Sequence, residues 1–483
     1  MSNKFSIILV LHFIFIVFIS YPFENKKNVS LNHINNKIIN DSIIISFITD
    51  GTLPLSFGYY DDNYNYIQIR LIKGIFEKEK KYFINKEKII IYDNSGINCP
   101  YILYAGDNIN ISISKKKLSI ISLNKKERNI ELNFFNNLLK DKEIPSIGTL
   151  QKKYANNLSK NIVYNNKINT VLEANKIDLR NYLDEYEKNN FLSESFKTDV
   201  KKLLQFTHIT NLLTPIIEKP FKPFKYDDYF TKILILQKNE FIDSNNLYNH
   251  TFRFSLYQYN KFLCREFLNS SNSYDEQFKS AIKNFDGNCK NYLLYELIRT
   301  AYYSDFKVFK NYKKIFEDNC QNDYFKNYIK SLPNLDEVNT GTSELKTHKG
   351  NLISFDDLIK NNKSKITLID FWASWCLPCI NSLNKFDNFK MYFKNKSISF
   401  VFVSLDDNEN IWKLYTKNFK SFMIDSNSYL LINNFNSSIC KKYNISSIPR
   451  YMVFDENKNV ISLNFKMDNQ NEAIKQLNKW LDN

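Results

Sequence analysis

The stretch "FWASWCLPC", Phe371 to Cys379, decides how this chain is read. It sets Cys376 and Cys379 on either side of Leu377 and Pro378, a spacing that admits a redox centre, half of a metal site, or two core cysteines that lie close together. Working outward, Thr367 to Trp372, "TLIDFW", is a continuous apolar run of the kind buried in a parallel sheet. After Cys376, Leu383, Phe386, Phe389 and Phe393 fall on one helical face, which predicts a single helix running to about Asn395. A strand "ISFVFVSLD", a helix near Asn410 to Phe419, a short strand "SFMID" and a helix from about Tyr429 to Tyr443 are expected next. The end reads as a hairpin, "RYMVFDENKNVISL", turning near Glu456 to Lys458, and a helix from Gln470 to Leu481. Alternating β and α with a closing hairpin predicts a mixed sheet covered by helices.

On that scaffold Cys376 falls at a helix N-terminus, where unpaired backbone N–H groups favour a thiolate, and Cys379 lies one turn later on the same side. The first would attack a disulfide and the second would resolve the mixed disulfide. Pro378 suits a first helical turn because its missing N–H is not needed there. The zinc reading is short of ligands: the five His residues (His12, His33, His208, His250, His348) are scattered, none at zinc spacing from a cysteine, and Cys440 would supply only a third ligand.

The rest of the 483-residue chain is long enough for two to four domains. With 43% hydrophobic residues, including 31 Tyr and 40 Phe, it can offset the entropy of folding. The net charge of +15 is spread as lysine among Asn and Ile, without an arginine-rich arm, so it reads as compositional bias and no nucleic-acid partner is expected. Residues 1–23 put Lys4 before an apolar run from Phe5 to Ile19, the length of a signal-peptide core. Either a cleaved signal peptide or an uncleaved anchor tethering the chain to the membrane fits, and both imply export. Seven cysteines are too few for a disulfide-stapled scaffold, and an odd number leaves at least one thiol unpaired in a monomer. Cys99, Cys264, Cys289 and Cys320 are widely spaced; Cys264 shares a helical face with Leu256, Tyr259, Leu263 and Phe267 and reads as a buried thiol, as does Cys440.

Residues 24–125 have the texture of a small all-β domain, an antiparallel sheet or sandwich built from "IIISFIT", "YNYIQIRLI", "KIIIYD", "YILYAGDNINISIS" and "LSIISL". Residues 126–335 read as a mainly α-helical domain: Phe196, Val200, Leu203, Leu204 and Thr207 share a stripe behind Ser193 as N-cap, and "TPIIEKPFKPF", with Pro215, Pro220 and Pro223, breaks the helices. Residues 336–349 read as a polar linker into a domain at 350–483, which, with the end of the linker, corresponds to the part of the chain that holds all four Trp.

Asp370 to Cys379 resembles the active-site segment of the thioredoxin superfamily, and the flanking segments resemble its exported TlpA/ResA-type thiol-disulfide oxidoreductases. "HKGNLISFDDLIKNNKSKITLIDFWASWCLPC" matches that group's opening Gly turn, short strand, helical turn and core strand, residues 420–443 match its insertion, and "SSIPR" matches its cis-proline loop. The likeness covers roughly residues 342–483. It implies a thioredoxin-like α/β fold there, with Cys376 as nucleophile, Cys379 as resolving thiol and Asp370 as a buried acid whose raised pKa lets it take a proton from Cys379 through water. Pro449 in cis would lie against the disulfide, the Ile448 backbone would pair with an extended substrate peptide, and Trp375 would form the rim. The implied partners are protein disulfides and an upstream electron-donating thiol protein, with no cofactor, at the outer face of the cytoplasmic membrane or in the periplasm. Leu377 stands where thioredoxin itself has Gly, so reductant, oxidant and isomerase stay open over roughly −270 to −120 mV, with reductase the leading direction. A polypeptide- or envelope-binding protein using this domain as a scaffold is the alternative. A peroxidase of the related peroxiredoxin group would need a Pro-x-x-x-Thr/Ser-x-x-Cys loop, which this chain lacks.

Overall fold

The computed structural model describes residues 42–49, 55–61, 64, 66–71, 79–93, 100–114, 117–141, 166–218, 232, 234–268, 274–332 and 344–482. The N-terminal apolar segment, Cys99, Pro220, Pro223 and most of the expected linker lie outside the described residues. The chain forms two compact units, Met1–Leu293 and Leu294–Asn483.

The first unit opens with β1 (Ile43–Thr49), β2 (Leu55–Tyr60), β3 (Tyr66–Leu71), β4 (Glu79–Ile84), β5 (Lys88–Asp93), β6 (Pro100–Tyr104), β7 (Asn108–Ser114) and β8 (Lys117–Ser122). They make two four-stranded sheets, ordered β4-β1-β7-β8 and β3-β2-β5-β6. β2 and β4 were not expected, because Gly58 in one and a Lys/Glu-rich start in the other dilute the strand signal. The run "YILYAGDNINISIS" bends at Gly106, φ +78°, so that β6 and β7 enter different sheets. One pairing, β1 with β7, is parallel, which departs from the antiparallel expectation. A parallel neighbour needs a crossover, and the intervening strands supply it.

Helices follow: α1 (Arg128–Asp141), α2 (Asn166–Asn189), α3 (Glu194–Glu218), α4 (His250–Leu268), α5 (Tyr274–Asn284) and α6 (Gly287–Ser304), the last of which spans the division between the units. Phe47 and Phe57, one from each sheet, meet at 5.6 Å and share a single core with Phe134, Leu183, Phe196 and Val200 of the helices. Ser193 caps α3 by accepting from the Phe196 N–H at 3.3 Å. Buried Asp199 then ties α3 to the strands, accepting from Lys88 at 3.0 Å and Tyr104 at 2.9 Å. α3 continues through Pro215 to Glu218: a proline one turn from the helix end deletes a hydrogen bond without stopping the helix there.

In the second unit, the end of α6 leads to α7 (Phe306–Asn319) and α8 (Asp323–Ser331), followed by β9 (Leu345–Lys346), β10 (Leu352–Ile353), α9 (Phe355–Lys360) and β11 (Ile366–Trp372). Next are α10 (Leu377–Leu383), α11 (Phe386–Tyr392), β12 (Ile398–Ser404), α12 (Glu409–Asn418), β13 (Ser428–Leu431), α13 (Ser438–Lys442), β14 (Arg450–Asp455), β15 (Val460–Ser462) and α14 (Gln470–Asp482). They build a mixed seven-stranded sheet, ordered β10-β9-β13-β12-β11-β14-β15. β11 runs parallel to β12 and antiparallel to β14 and is buried along its whole length. β9 falls inside the stretch read as a linker, and the Tyr303 carbonyl at the end of α6 accepts from the Leu463 and Asn464 N–H groups, each at 2.8 Å. Tyr303, inside the expected helical domain, is therefore joined to the edge of the sheet next to β15.

Three local expectations are corrected. The helix predicted from Cys376 to Asn395 is two helices, because the Lys385 N–H turns back to the Ser382 carbonyl and its own carbonyl is taken by Gln470. That break sets Phe386 against Phe400, Phe402 and Phe422 at 5.0–5.3 Å. "SFMID" is not a strand: the Asn427 side chain accepts from the Ile424 N–H and donates to the Phe400 and Phe422 carbonyls, closing a loop. The helix expected from Tyr429 starts only at Ser438, and "SYLL" is a strand. It lies between β12 and β9, buried on both faces, so it lacks the alternation that would mark it.

Candidate active site

Cys376 and Cys379 sit where β11 ends and α10 begins. Cys376 is the N-cap residue, with extended backbone (φ −88°, ψ 93°), and its Sγ accepts from the Cys379 N–H at 3.2 Å. Pro378 occupies the first turn, as its missing donor allows. The two sulfurs are joined as a disulfide with the Cα atoms 5.2 Å apart. Both cysteines are shielded, at 5% and 1% exposure, whereas the neighbours Trp375 and Leu377 stand out at 58% and 69%. The sulfurs thus lie at the foot of an apolar rim.

Asp406, just beyond β12, fixes the loop that delivers Cys376. Its carboxylate accepts from the Ser374 N–H at 3.1 Å and the Ser374 hydroxyl at 2.6 Å. It also accepts from the Ser404 hydroxyl at 2.7 Å. Nothing in the local sequence marks Asp406, because its partner loop is 32 residues away in the chain. The one available signal is its place at the C-terminal end of a parallel strand, where open α/β sheets gather their functional groups.

Asp370 lies in β11 and is 2% exposed. Burial pushes its carboxyl well above the ordinary range, and among the described residues its Oδ1 has no hydrogen-bond partner. Its cross-strand neighbour is Tyr451, whose hydroxyl lies 2.8 Å from Ser382 Oγ, one turn beyond Cys379. α10 therefore packs over the part of the sheet that holds Asp370. Tyr451 and Ser382 were not singled out from the sequence.

The Ile448–Pro449 peptide bond is cis. Arg450 pairs with Phe371, so Pro449 is level with the end of β11, where the cysteine loop departs. Buried Arg450 holds the approach to this loop by donating to the Asn444 carbonyl at 3.4 Å and the Leu463 carbonyl at 3.3 Å. On the other side, Trp375 meets Phe435 of the 3-10 turn Asn434–Asn436 at 6.4 Å. The structure places Asp370, Cys376, Cys379 and Pro449 toward one end of β11. Cys440 is buried, its thiol pushed up to about 11 by burial. Cys264, Cys289 and Cys320 are also buried. Among the described residues, no three His, Cys, Asp or Glu side chains converge as metal ligands would.

A family model described as thioredoxin-like matches residues 363–460. Sporulation thiol-disulfide oxidoreductase A of Bacillus subtilis (strain 168) is 26% identical over 104 residues, 22% of this chain and 61% of that protein. The chain thus spans about three fifths of the length of that relative. Among solved structures, the thioredoxin domain of a thiol-disulfide oxidoreductase from Bacteroides vulgatus is 23% identical, covering 30% of this chain and 99% of that one, with a TM-score of 0.24. StoA from Bacillus subtilis is 25% identical, covering 28% and 93%, with a TM-score of 0.21. With the Cys-x-x-Cys helix start, the buried acid and the mixed sheet already in place, the C-terminal part of this chain carries a thioredoxin-like domain, matched over residues 363–460.

Proposed function

We propose that the chain is an exported thiol-disulfide oxidoreductase that reduces protein disulfides through Cys376 and Cys379. The observation that carries this reading is the pair of cysteines at the start of α10, above a buried carboxyl with an unpartnered oxygen. In the reduced form, the Cys376 thiolate attacks one sulfur of the substrate disulfide, and the other substrate sulfur leaves as a thiolate and takes up a proton. The position at a helix N-terminus favours that attacking thiolate. Cys379 then gives its proton, through water, to the ionised fraction of Asp370, a strong base because burial raises its pKa, and attacks the Cys376 sulfur. The second substrate thiol is released and the enzyme is left as the Cys376–Cys379 disulfide. Two electrons from an upstream thiol protein regenerate it.

Trp375 and the half-exposed Ile448 and Pro449 form the surface assigned to the substrate peptide, with the Ile448 backbone as its pairing edge. Export rests on the apolar segment within residues 1–23 and places the protein in the periplasm or at the outer face of the cytoplasmic membrane, with or without its N-terminal tether. The test is to trap the intermediate. Cys379→Ser incubated with oxidised insulin is expected to accumulate a mixed disulfide through Cys376, seen by mass spectrometry and reversed by dithiothreitol. If no adduct forms and the parent chain leaves insulin oxidised, the redox reading fails and the binding-scaffold alternative takes its place.

A further inference from the structure

In the first unit, a cavity of about 570 Å³ opens between α2, α3 and the segment around the 3-10 turn Gln237–Phe241. Its charged lining is uneven: Lys176, Arg180, Lys201 and Lys202 face Glu240 and Asp243. Asp243 is already engaged, accepting from the Asn245 N–H at 3.0 Å and from the Asn246 side chain at 3.3 Å, with Lys202 at 3.7 Å. Lys176 lies 3.6 Å from Glu173, a carboxylate also held by His208 at 3.0 Å. Arg180 and Lys201 have no carboxylate partner among the described residues; Arg180 reaches only the Gln205 side-chain oxygen, at 3.5 Å.

Lysine alone would mean little in a chain this rich in it, but arginine is different. Only seven of the 66 Lys and Arg residues are Arg. Among those whose side chains are described, Arg128, Arg253, Arg299 and Arg450 are buried, making contacts that use the planar guanidinium, and Arg180 is the exposed one. A rigid fork of donors, kept where a lysine would serve for solubility, matches the two oxygens of a carboxylate. Ile177, Leu236 and Ile242, each next in sequence to a lining residue, are 54%, 71% and 73% exposed. The volume lies within the roughly 300–1,000 Å³ of small binding sites, and a concave pocket does not conform to a flat bilayer.

We propose that this cavity docks an acidic peptide segment with interspersed aliphatic side chains, presented by another protein. Arg180 and Lys201 take its carboxylates, and the exposed aliphatics contact its apolar side chains. As a means of selecting clients, this rests on the proposed protein-disulfide activity; the binding step itself does not require the cysteines.

The experiment uses the full chain and a fluorescein-labelled ten-residue peptide alternating Glu and Leu, followed by anisotropy at two salt concentrations, with a Gln-for-Glu peptide as control. Saturable binding that weakens with salt is expected, at least tenfold tighter for the Glu peptide. Arg180→Glu with Lys201→Glu should lose at least tenfold in affinity while leaving insulin reduction and the thermal melt unchanged, and Arg180→Lys should fall between. Equal binding of the two peptides, an unaffected double variant, or displacement by phosphatidylglycerol vesicles at matched charge would overturn the proposal. Cys376→Ser should bind the peptide like the parent, so a failed redox reading and a failed docking site give different results.

Discussion

Replacing Asp370 by asparagine separates a working buried acid from a merely tolerated one. The native carboxyl is 2% exposed and its pKa is raised well above the ordinary range by burial. In the window from about pH 3.9 up to that raised value, the unfolded chain has lost this proton while the folded chain keeps it, so stability falls as pH rises. The slope from this one group is about 1.4 kcal/mol per pH unit across the window. Urea unfolding of parent and Asp370→Asn, followed by Trp fluorescence as pH rises from about 4, should show that slope in the parent up to the point where folded Asp370 ionises, and its loss in the variant. A constant offset from the new amide leaves the slope untouched, which makes the slope diagnostic. Turnover of insulin at pH 7 should drop by about 10²-fold or more, the usual contribution of a positioned proton acceptor. Equal slopes would refute the buried-acid argument, and equal turnover would remove Asp370 from the mechanism.

Asp406→Ala removes the acceptor of the Ser374 and Ser404 hydrogen bonds and frees the loop before Cys376; a loss of about 3 kcal/mol in urea unfolding and slower insulin reduction are expected, with Asp406→Asn milder. His208 is buried and its pKa is lowered to about 4, chiefly by that burial. Between about pH 6.5 and 4 the unfolded chain binds a proton that the folded chain refuses, so unfolding of the first unit should become easier on acidification through that window, and His208→Gln should flatten the dependence. A fragment of residues 344–483 lacks the Tyr303 carbonyl and should be at least about 2 kcal/mol less stable than residues 294–483, as compared by urea midpoints and slopes.

The candidate-site end of β11 was legible because its signals are local: two cysteines one helical turn apart, a proline allowed only early in a helix, and an apolar strand leading into them. The same held for the Gly350 turn, where φ is +88°, and for the closing hairpin, whose turn residue Lys458 has φ +71°. Residues whose roles come from distant partners were not legible. Asp406 acts on a loop 32 residues away, and Tyr451 matters because it pairs with Asp370 and touches Ser382. β13 reads as helix in the sequence because it lies between β12 and β9, buried on both faces, and a short run without alternation cannot be told from a buried helix. The break between α10 and α11 was hidden because Leu383, Phe386, Phe389 and Phe393 keep helical spacing across it and are all buried. The contact of Tyr303 with the sheet edge could not be read at all, since it joins residues 160 positions apart through a backbone carbonyl, which carries no sequence signal.

The central claim is that Cys376 and Cys379 form a reversible two-electron couple poised for reduction of protein disulfides. The measurement that tests it most directly is the reduction potential of the full chain, equilibrated against dithiothreitol or glutathione buffers and followed by Trp fluorescence, with Cys376→Ser as control. A single transition near thioredoxin's roughly −270 mV, absent from the control, is the predicted result. A transition near the roughly −120 mV of a strong oxidant would contradict the reductase direction, and no transition at all would contradict the redox centre itself.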